Sequence, residues 1–321
     1  MDNILVIYHN EDNDGVFSGA MFVNYINKTF PQATVNVFGA NYHILSEVVD
    51  RLEYKEWEDT FDTIIMTDIS FNEINIMEEL YIFYGDNFIW CDHHKPIIDE
   101  SRKHNFVNAS GVRDTSRSAI LCAYKYLYDT FDEQYNAKKI NELLRILSAY
   151  DSYTWDAAGF KFDYVNAINT AVTSKYNLDF EYVTENFDDI FNSVSDDSLL
   201  DLYTFGCKLL KRDEQRFKKM VHEFGDYSWI VNNNRACALF IQESTRSQIF
   251  DACPKNIKNG VVFKHTPNSQ WIISLYNIHK HDDMHCGEYM KEHYGGGGHR
   301  GAAGATISEE QFINILKTKT L

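Results

Sequence analysis

Short apolar runs alternate with longer segments of helical spacing through the first half of the chain. Residues 4–8 (Ile-Leu-Val-Ile-Tyr) form an uninterrupted run of buried-strand length. Residues 15–30 follow with Val16, Ala20, Val23 and Ile26 on one helical face. Residues 34–38, 63–67 and 88–91 read as three further strands, with a helix over 72–84 between the last two. Two more helices are expected over 118–131 and 137–149. Strands separated by helices predict an α/β fold with a mainly parallel sheet and helices on both faces.

The pattern changes near residue 195. Leu199, Leu202, Leu209, Phe217, Met220 and Phe224 recur at helical spacing among many charges, which predicts one long amphipathic helix over 195–224 with Ser195 as its cap. Strand-like segments at 236–241, 260–264 and 271–276 come next, then helices over 286–294 and 308–316. The chain is therefore read as a first domain of residues 1–190, a linker helix over 191–225 and a smaller α/β domain over 226–321. No internal repeat is visible.

Composition narrows the function. At 321 residues and 44% hydrophobic content the chain can build two cores. A formal net charge of -17 argues against a groove that neutralises the phosphates of a long duplex. It leaves small anionic substrates open, because carboxylates that hold divalent cations create a locally positive spot. No apolar run approaches the ~18 residues needed to span a bilayer, and no export signal is read, so no membrane partner is expected. Cys91, Cys122, Cys207, Cys237, Cys253 and Cys286 are scattered without a Cys-x-x-Cys pair, which reads as reduced thiols in a cytoplasmic protein.

Four features fall where an element should end. They are His9-Asn10-Glu11-Asp12-Asn13-Asp14-Gly15 after the first strand, Asp68 after the third, Asp92-His93-His94 after the fourth, and Asp151 after the helix that precedes it. Ligands of open α/β sheets bind beyond the carboxyl ends of the strands, so the first three should converge there. Carboxylate and imidazole together suit Mn²⁺, Fe²⁺, Co²⁺ or Zn²⁺, whereas all-oxygen sets favour Mg²⁺. Two such ions can activate one water and stabilise both the attacking and the leaving oxygen. Asp68 stands alone and is the natural bridge, with Asp12 and Asp14 each sending a carboxylate to one ion. Singly, each feature also has a plain reading as a turn, a helix cap or a surface residue.

These residues, in this order, resemble the motifs of the DHH phosphoesterase family. The family includes RecJ-like exonucleases, nano-RNases, cyclic-dinucleotide phosphodiesterases and family II pyrophosphatases. The run Gly295-Gly296-Gly297-Gly298-His299-Arg300-Gly301-Ala302-Ala303-Gly304 resembles the signature of the DHH-associated substrate-binding domain. The resemblance implies two divalent cations, Mn²⁺ foremost with Mg²⁺ or Co²⁺ as alternatives. His9, Asp12 and Asp68 would hold one ion, and Asp14, Asp68, His93 and Asp151 the other. His94 would sit beside the scissile phosphate, and Asp92 would orient an imidazole. The implied chemistry is attack of metal-activated water on phosphorus.

The glycine run has its own rationale. Without Cβ atoms the backbone can approach a phosphate closely, and successive N–H groups can cradle it, with His299 as a further donor. The chain departs from the family in two places. Two residues separate His9 from Asp12, where many members have one or three. Ser274-Leu275-Tyr276 stands where a Ser-Leu-Arg segment is usual. Arg300 or Arg246 would compensate, or Tyr276 would stack a base; a strand residue packed in the sheet is the equal alternative. Thr115-Ser116-Arg117-Ser118 opens a predicted helix and could present N–H groups and Arg117 to a phosphate, although capping explains the hydroxyls as well. The ligand-rich stretch His279 to Cys286 lacks helical spacing and reads as a loop and cap.

The expected function is hydrolysis of short single-stranded oligonucleotides by two-metal activation of water. Cyclic-dinucleotide phosphodiesterase or 3′-phosphoadenosine nucleotide phosphatase activity is the alternative. A non-catalytic nucleotide-binding module is the competing class, and every expected ligand position is filled against it. A homodimer is compatible with the sequence.

Overall fold

The computed structural model of the chain describes residues 3–129, 141–192, 194–242, 247–278, 284–298 and 300–321. They fall into two compact units, Met1–Leu209 and Leu210–Leu321.

The sheet of the first unit consists of β1 (Asn3–His9), β2 (Thr34–Ala40), β3 (Thr63–Thr67) and β4 (Phe88–Cys91), all parallel, in the order β2-β1-β3-β4. The central strands are nearly continuous apolar runs because both faces are covered, and all of β3 is buried. The helices are α1 (Asn13–Thr29), α2 (Tyr42–Asp50), α3 (Ile74–Tyr84), α4 (Lys95–Ser101), α5 (Ala119–Tyr124), α6 (Glu142–Asp151), α7 (Phe162–Tyr176), α8 (Phe180–Glu185) and α9 (Phe187–Asn192). Alternation along β1 divides the core. Ile4, Val6 and Tyr8 pack with α1 and α5–α9 on one face, while Leu5 and Ile7 pack with α2 and α3 on the other.

Two expected helices differ in extent. The one over 118–131 is α5 followed by a π-helical turn at Lys125–Asp129. The one over 137–149 is α6, which begins at Glu142; residues 130–140 lie outside the described residues. The pattern missed α7 because its core face includes buried Asn166 and Thr170, which interrupt the apolar stripe.

Helix α10 (Asp196–Phe224) runs 29 residues and belongs to both units. Ser195 caps it, its Oγ accepting from the Ser198 N–H at 3.2 Å. Leu199 packs in the first unit's core, and Phe217 and Val221 in the second's.

The second unit contains β5 (Asp226–Val231), β6 (Asn234–Phe240), β7 (Asn259–His265), β8 (Gln270–Asn277), α11 (Cys286–Tyr294), β9 (Gly297–Gly298), β10 (Ala302–Ser308) and α12 (Glu309–Thr318). The mixed sheet has the order β5-β6-β7-β8-β10-β9, parallel only between β6 and β7. One face packs Trp229, Phe263, Ile273 and Leu275 against Met290 of α11 and Phe312 of α12. The other packs Cys237, Leu239 and Val262 against Phe250 and α10. Strand β10 corrects the sequence reading, which left residues 302–304 within the glycine segment and gave 305–307 no element. Ala-Ala-Gly-Ala-Thr offers little apolar contrast, and its small side chains suit an interior strand between β8 and β9. Among the described residues no helix is long and apolar enough to cross a membrane.

Candidate metal centre

Parallel register places Tyr8 opposite Thr67, and Thr67 opposite Cys91. The next residues, His9, Asp68 and Asp92, therefore leave the carboxyl edge of three neighbouring strands side by side, with strands roughly 4.8 Å apart. The chain crosses from β1 to β2 on one side and from β3 to β4 on the other, so a crevice opens between β1 and β3. Asp68 turns at once into left-handed backbone, φ 59°, a conformation Asp tolerates better than most residues. Its N–H is held by the Cys91 carbonyl at 3.0 Å.

The Asp-x-Asp segment starts α1. Asp12 is the cap: Oδ1 accepts from the Gly15 N–H at 2.9 Å, and Oδ2 lies 3.1 Å from His9 Nδ1. Only glycine at position 15 allows so close a start, since a Cβ there would lie 2.1 Å from the His9 carbonyl oxygen. Asp14 is fully buried and accepts from the N–H groups of Ala119 (2.6 Å) and Ile120 (2.9 Å), the open first turn of α5. One of the two sequence readings of this helix start had its donors facing a phosphate. They turn inward instead, and Arg117 Nε pairs with Asp114 Oδ2 at 3.1 Å. Asn13 fastens the same segment to α7, its Nδ2 donating to Asn169 Oδ1 (2.8 Å) and Thr173 Oγ1 (2.9 Å).

Asp68 faces an imidazole with each oxygen. Oδ2 is 3.6 Å from His9 Nδ1, and Oδ1 is 3.3 Å from His93 Nε2. His93 Nε2 also lies 3.1 Å from Asp151 Oδ2 and 3.6 Å from Asp14 Oδ2. Among the described residues, three groupings could hold an ion: His9, Asp12 and Asp68; Asp14, His93 and Asp151; and Asp68, His93 and His94. The charges are poorly balanced by the side chains alone. Burial and the neighbouring Asp68 push Asp14 up to about 7, and burial with Asp14 and Asp12 pushes Asp151 well above its ordinary value. Burial disfavours charge on His9, but Asp12 and Asp68 outweigh it and raise its pKa to about 11. Asp68 is held low in spite of burial by His9 and His93. Buried oxygens Asp68 Oδ1 and Asp151 Oδ2 have no hydrogen-bond donor. Crowded carboxylates with orphaned oxygens beside two imidazoles fit divalent cations.

Residues 3–149 match the model of the DHH family, N-terminal domain. This part of the chain is a DHH-family domain. Among curated proteins, none is similar in sequence to the chain. Solved structures similar to it include the following three. One is the DHH domain of a member of a family of ribosomal proteins, at 12% identity and TM-score 0.59, over 99% of this chain and 85% of that one. Another is exonuclease RecJ bound to manganese, at 15% identity and TM-score 0.53, over 99% of this chain and 88% of that one. The third is a pGpG-specific phosphodiesterase, PggH of Vibrio cholerae, at 14% identity and TM-score 0.47, over 99% of this chain and 97% of that one. At these identities the first two establish a shared fold.

Within the DHH triplet, Asp92 is fully buried and saturated with donors. Its Oδ1 accepts from the His93 and His94 N–H groups (2.7 and 3.0 Å) and lies 2.7 Å from His94 Nδ1; its Oδ2 accepts from Trp90 Nε1 at 3.1 Å. Burial opposes its charge, but His94 holds its pKa below the usual range; in return Asp92 raises His94 to about 9 against burial. Sequence reasoning missed the support around this group. Trp90 stands two residues before Asp92 on the same strand face, a spacing that could have revealed it. Arg113 donates to the Trp90 and Ser110 carbonyls at 3.0 Å each. Tyr42 has its ring 6.3 Å from His9 and 6.4 Å from His94, but it lies on α2, which the pattern did not show.

The glycine segment belongs to the second unit. Gly295 ends α11 in left-handed backbone (φ 68°), and Gly297–Gly298 forms the edge strand β9. Packing accounts for part of the run: a Cβ at Gly296 would lie 2.1 Å from the Gly304 carbonyl oxygen, and one at Gly298 2.6 Å from Ala303 Cα. Gly297 and Gly301 have open space instead. The Arg300 carbonyl accepts from the Cys286 N–H at 3.0 Å. His299, Arg246 and residues 279–283 lie outside the described residues. Ser274 pairs with Gly304 and Val262 in the sheet, and Tyr276 sits with its ring 5.6 Å from Phe250. That placement favours packing in the sheet for Tyr276.

Proposed function

We propose that the chain is a metal-dependent phosphodiesterase that hydrolyses short single-stranded oligonucleotides or small nucleotides. The observation that carries the reading is Asp68, buried between His9 and His93 with one carboxylate oxygen toward each. His9, Asp12 and Asp68 would hold one divalent cation, and Asp14, Asp68, His93 and Asp151 the other. Mn²⁺ suits this mixed donor set, with Mg²⁺ or Co²⁺ able to substitute. Bound cations supply an activated water and offset charge on the phosphate. Asp12 is fixed by its own capping bond and Asp14 by two backbone amides, so both present oxygens already oriented. His94 is anchored to Asp92 through Nδ1 and would use Nε2 to hold a proton for the leaving oxygen. In the second unit, Gly295, Gly297 and Gly301 leave space for close approach of a phosphate, with His299, Arg300 and Ser274 as further contacts.

The test assays the protein with Mn²⁺ against dinucleotides of the pApA type, longer RNA and DNA, cyclic dinucleotides and 3′,5′-bisphosphoadenosine in parallel. Turnover confined to short linear oligomers is expected. Preference for a cyclic or bisphosphorylated nucleotide would overturn the oligonucleotide assignment and keep the metal assignment. Asp68→Ala should abolish turnover at every Mn²⁺ concentration, because one residue serves both ions. Near-wild-type turnover in that variant would sink the bridging role.

A further inference from the structure

The two oxygens of the Asp92 carboxylate are held unequally. Oδ1 accepts from the His93 and His94 N–H groups at 2.7 and 3.0 Å, and His94 Nδ1 lies 2.7 Å from it. Oδ2 has one donor among the described residues, the Trp90 indole N–H at 3.1 Å. Bonds to Oδ1 alone would leave the carboxylate free to turn about Cβ–Cγ, because that torsion has broad minima. The indole fixes the second oxygen, and with it the plane in which Asp92 meets the imidazole.

Trp90 is itself held firmly. It lies on β4, fully buried, and its position two residues before Asp92 puts both on one strand face. The Phe106 ring is 5.7 Å away, and the Arg113 guanidinium lies 5.5 Å over the indole, where a cation is attracted to the ring face. Arg113 donates to the Trp90 and Ser110 carbonyls through Nη1 and to the Val107 carbonyl through Nη2 at 3.1 Å. The same segment receives the Trp90 N–H at the Ser110 carbonyl (2.8 Å) and the Asp92 N–H at the Val112 carbonyl (3.1 Å). It passes so close that a Cβ at Gly111, φ 108°, would lie 2.2 Å from the Trp90 carbonyl oxygen. An apolar ring would fill this place equally well, as Phe88 and Phe106 do in the same core. Tryptophan adds a buried N–H that needs a partner, and the partner is the carboxylate behind His94.

We infer that Trp90 is a positioning residue for His94: its indole N–H locks the Asp92 carboxylate so that the imidazole presents Nε2 to the leaving oxygen of the scissile phosphate. This rests on the proposed phosphodiesterase function and extends its proton donor from His94 through Asp92 into the core of the first unit. A displacement of about 1 Å at a reacting group can cost about 100-fold in rate, so a strand-borne anchor for the imidazole has a large effect available to it.

Replacing Trp90 with benzothienylalanine keeps the bicyclic ring and puts sulfur where the N–H stood, so packing is retained while one hydrogen bond is deleted. In wild type, the five tryptophans give five indole N–H signals by NMR of the isotope-labelled full chain. The signal missing from Trp90→Phe belongs to Trp90, and it should shift in Asp92→Asn; an unmoved signal would overturn the bond. With Mn²⁺ and pApA, the benzothienylalanine variant should lose roughly 10- to 100-fold in kcat with KM within about 2-fold of wild type. A nitrophenyl ester of a nucleoside phosphate releases an oxygen that needs no proton, so on it the same variant should stay within about 2-fold of wild type. Wild-type kcat on pApA, or equal losses on both substrates, would overturn the positioning role and leave the phosphodiesterase reading standing. Wild-type protein that hydrolyses neither substrate would remove that reading and the positioning role with it.

Discussion

Asp14→Asn replaces one carboxylate oxygen with an amide nitrogen, and its effect on metal-free stability should change with pH. Asp14 has its folded pKa raised to about 7 from an ordinary 3.8. The folded protein therefore holds this proton more tightly than the unfolded chain, and ionising the group penalises folding as pH rises from about 4 to about 7. The penalty grows by about 1.4 kcal/mol per pH unit until the folded group begins to ionise, so between pH 5 and pH 7 wild type loses about 2 kcal/mol through this residue. Asparagine does not titrate and has no such slope. It carries a constant cost of about 1–3 kcal/mol, because one amide oxygen replaces the two oxygens that accept from Ala119 and Ile120. Asp151 is raised in the same direction partly by Asp14 itself, so its penalty is smaller in the variant and adds to the difference in the same sense.

The assay is hydrogen exchange against urea in EDTA, read by mass spectrometry on peptides within residues 3–129. This follows the unit that contains Asp14 alone. The variant should be the less stable protein at pH 5 and should gain at least about 2 kcal/mol relative to wild type by pH 7. A variant-minus-wild-type difference that stays constant to within about 1 kcal/mol across that range would refute the reasoning. Adding Mn²⁺ at 100 times its dissociation constant should stabilise wild type by about 3 kcal/mol, and the variant by less.

Gly287→Ala should destabilise the second unit by about 1–3 kcal/mol in urea denaturation, because a Cβ there would lie 2.1 Å from the Gly298 carbonyl oxygen. Burial works against the charge on Asp226, but the Lys319 ammonium at 2.8 Å, Ser228 and the Trp229 indole hold its pKa well below the usual carboxylate range. Its contribution is therefore present above about pH 4 and lost as the pH falls below that. Asp226→Asn should cost about 1–2 kcal/mol at pH 7 after allowance for partial exposure, and clearly less at pH 2, as followed by denaturation at both values.

Much of the first unit was legible because its strands are covered on both faces. Full burial demands apolar runs, so residues 63–67 and 88–91 could be bounded to the residue. The carboxylates and imidazoles were conspicuous for the same reason, being charged residues placed where those runs stop. The helix over 286–294 was equally plain, since Gly295 terminates it. Strand β10 was not, because alanine and glycine between two neighbouring strands have no apolar partner pattern to betray them. Helix α7 was hidden by asparagines and threonines that find partners only in the folded unit.

Sequence by itself determined the order of the strands and helices, the residues at their ends and the class of chemistry they can support. Only tertiary structure decided which of those residues meet. Register sets His9 level with Asp68 and Asp92, and a slip of one residue would move each side chain to the opposite face. The N–H groups of Ala119 and Ile120 are committed to Asp14, across 105 and 106 residues of chain, instead of to an external anion. The left-handed turn at Asp68 is also a tertiary choice, held by the bond from its N–H to the Cys91 carbonyl on the neighbouring strand.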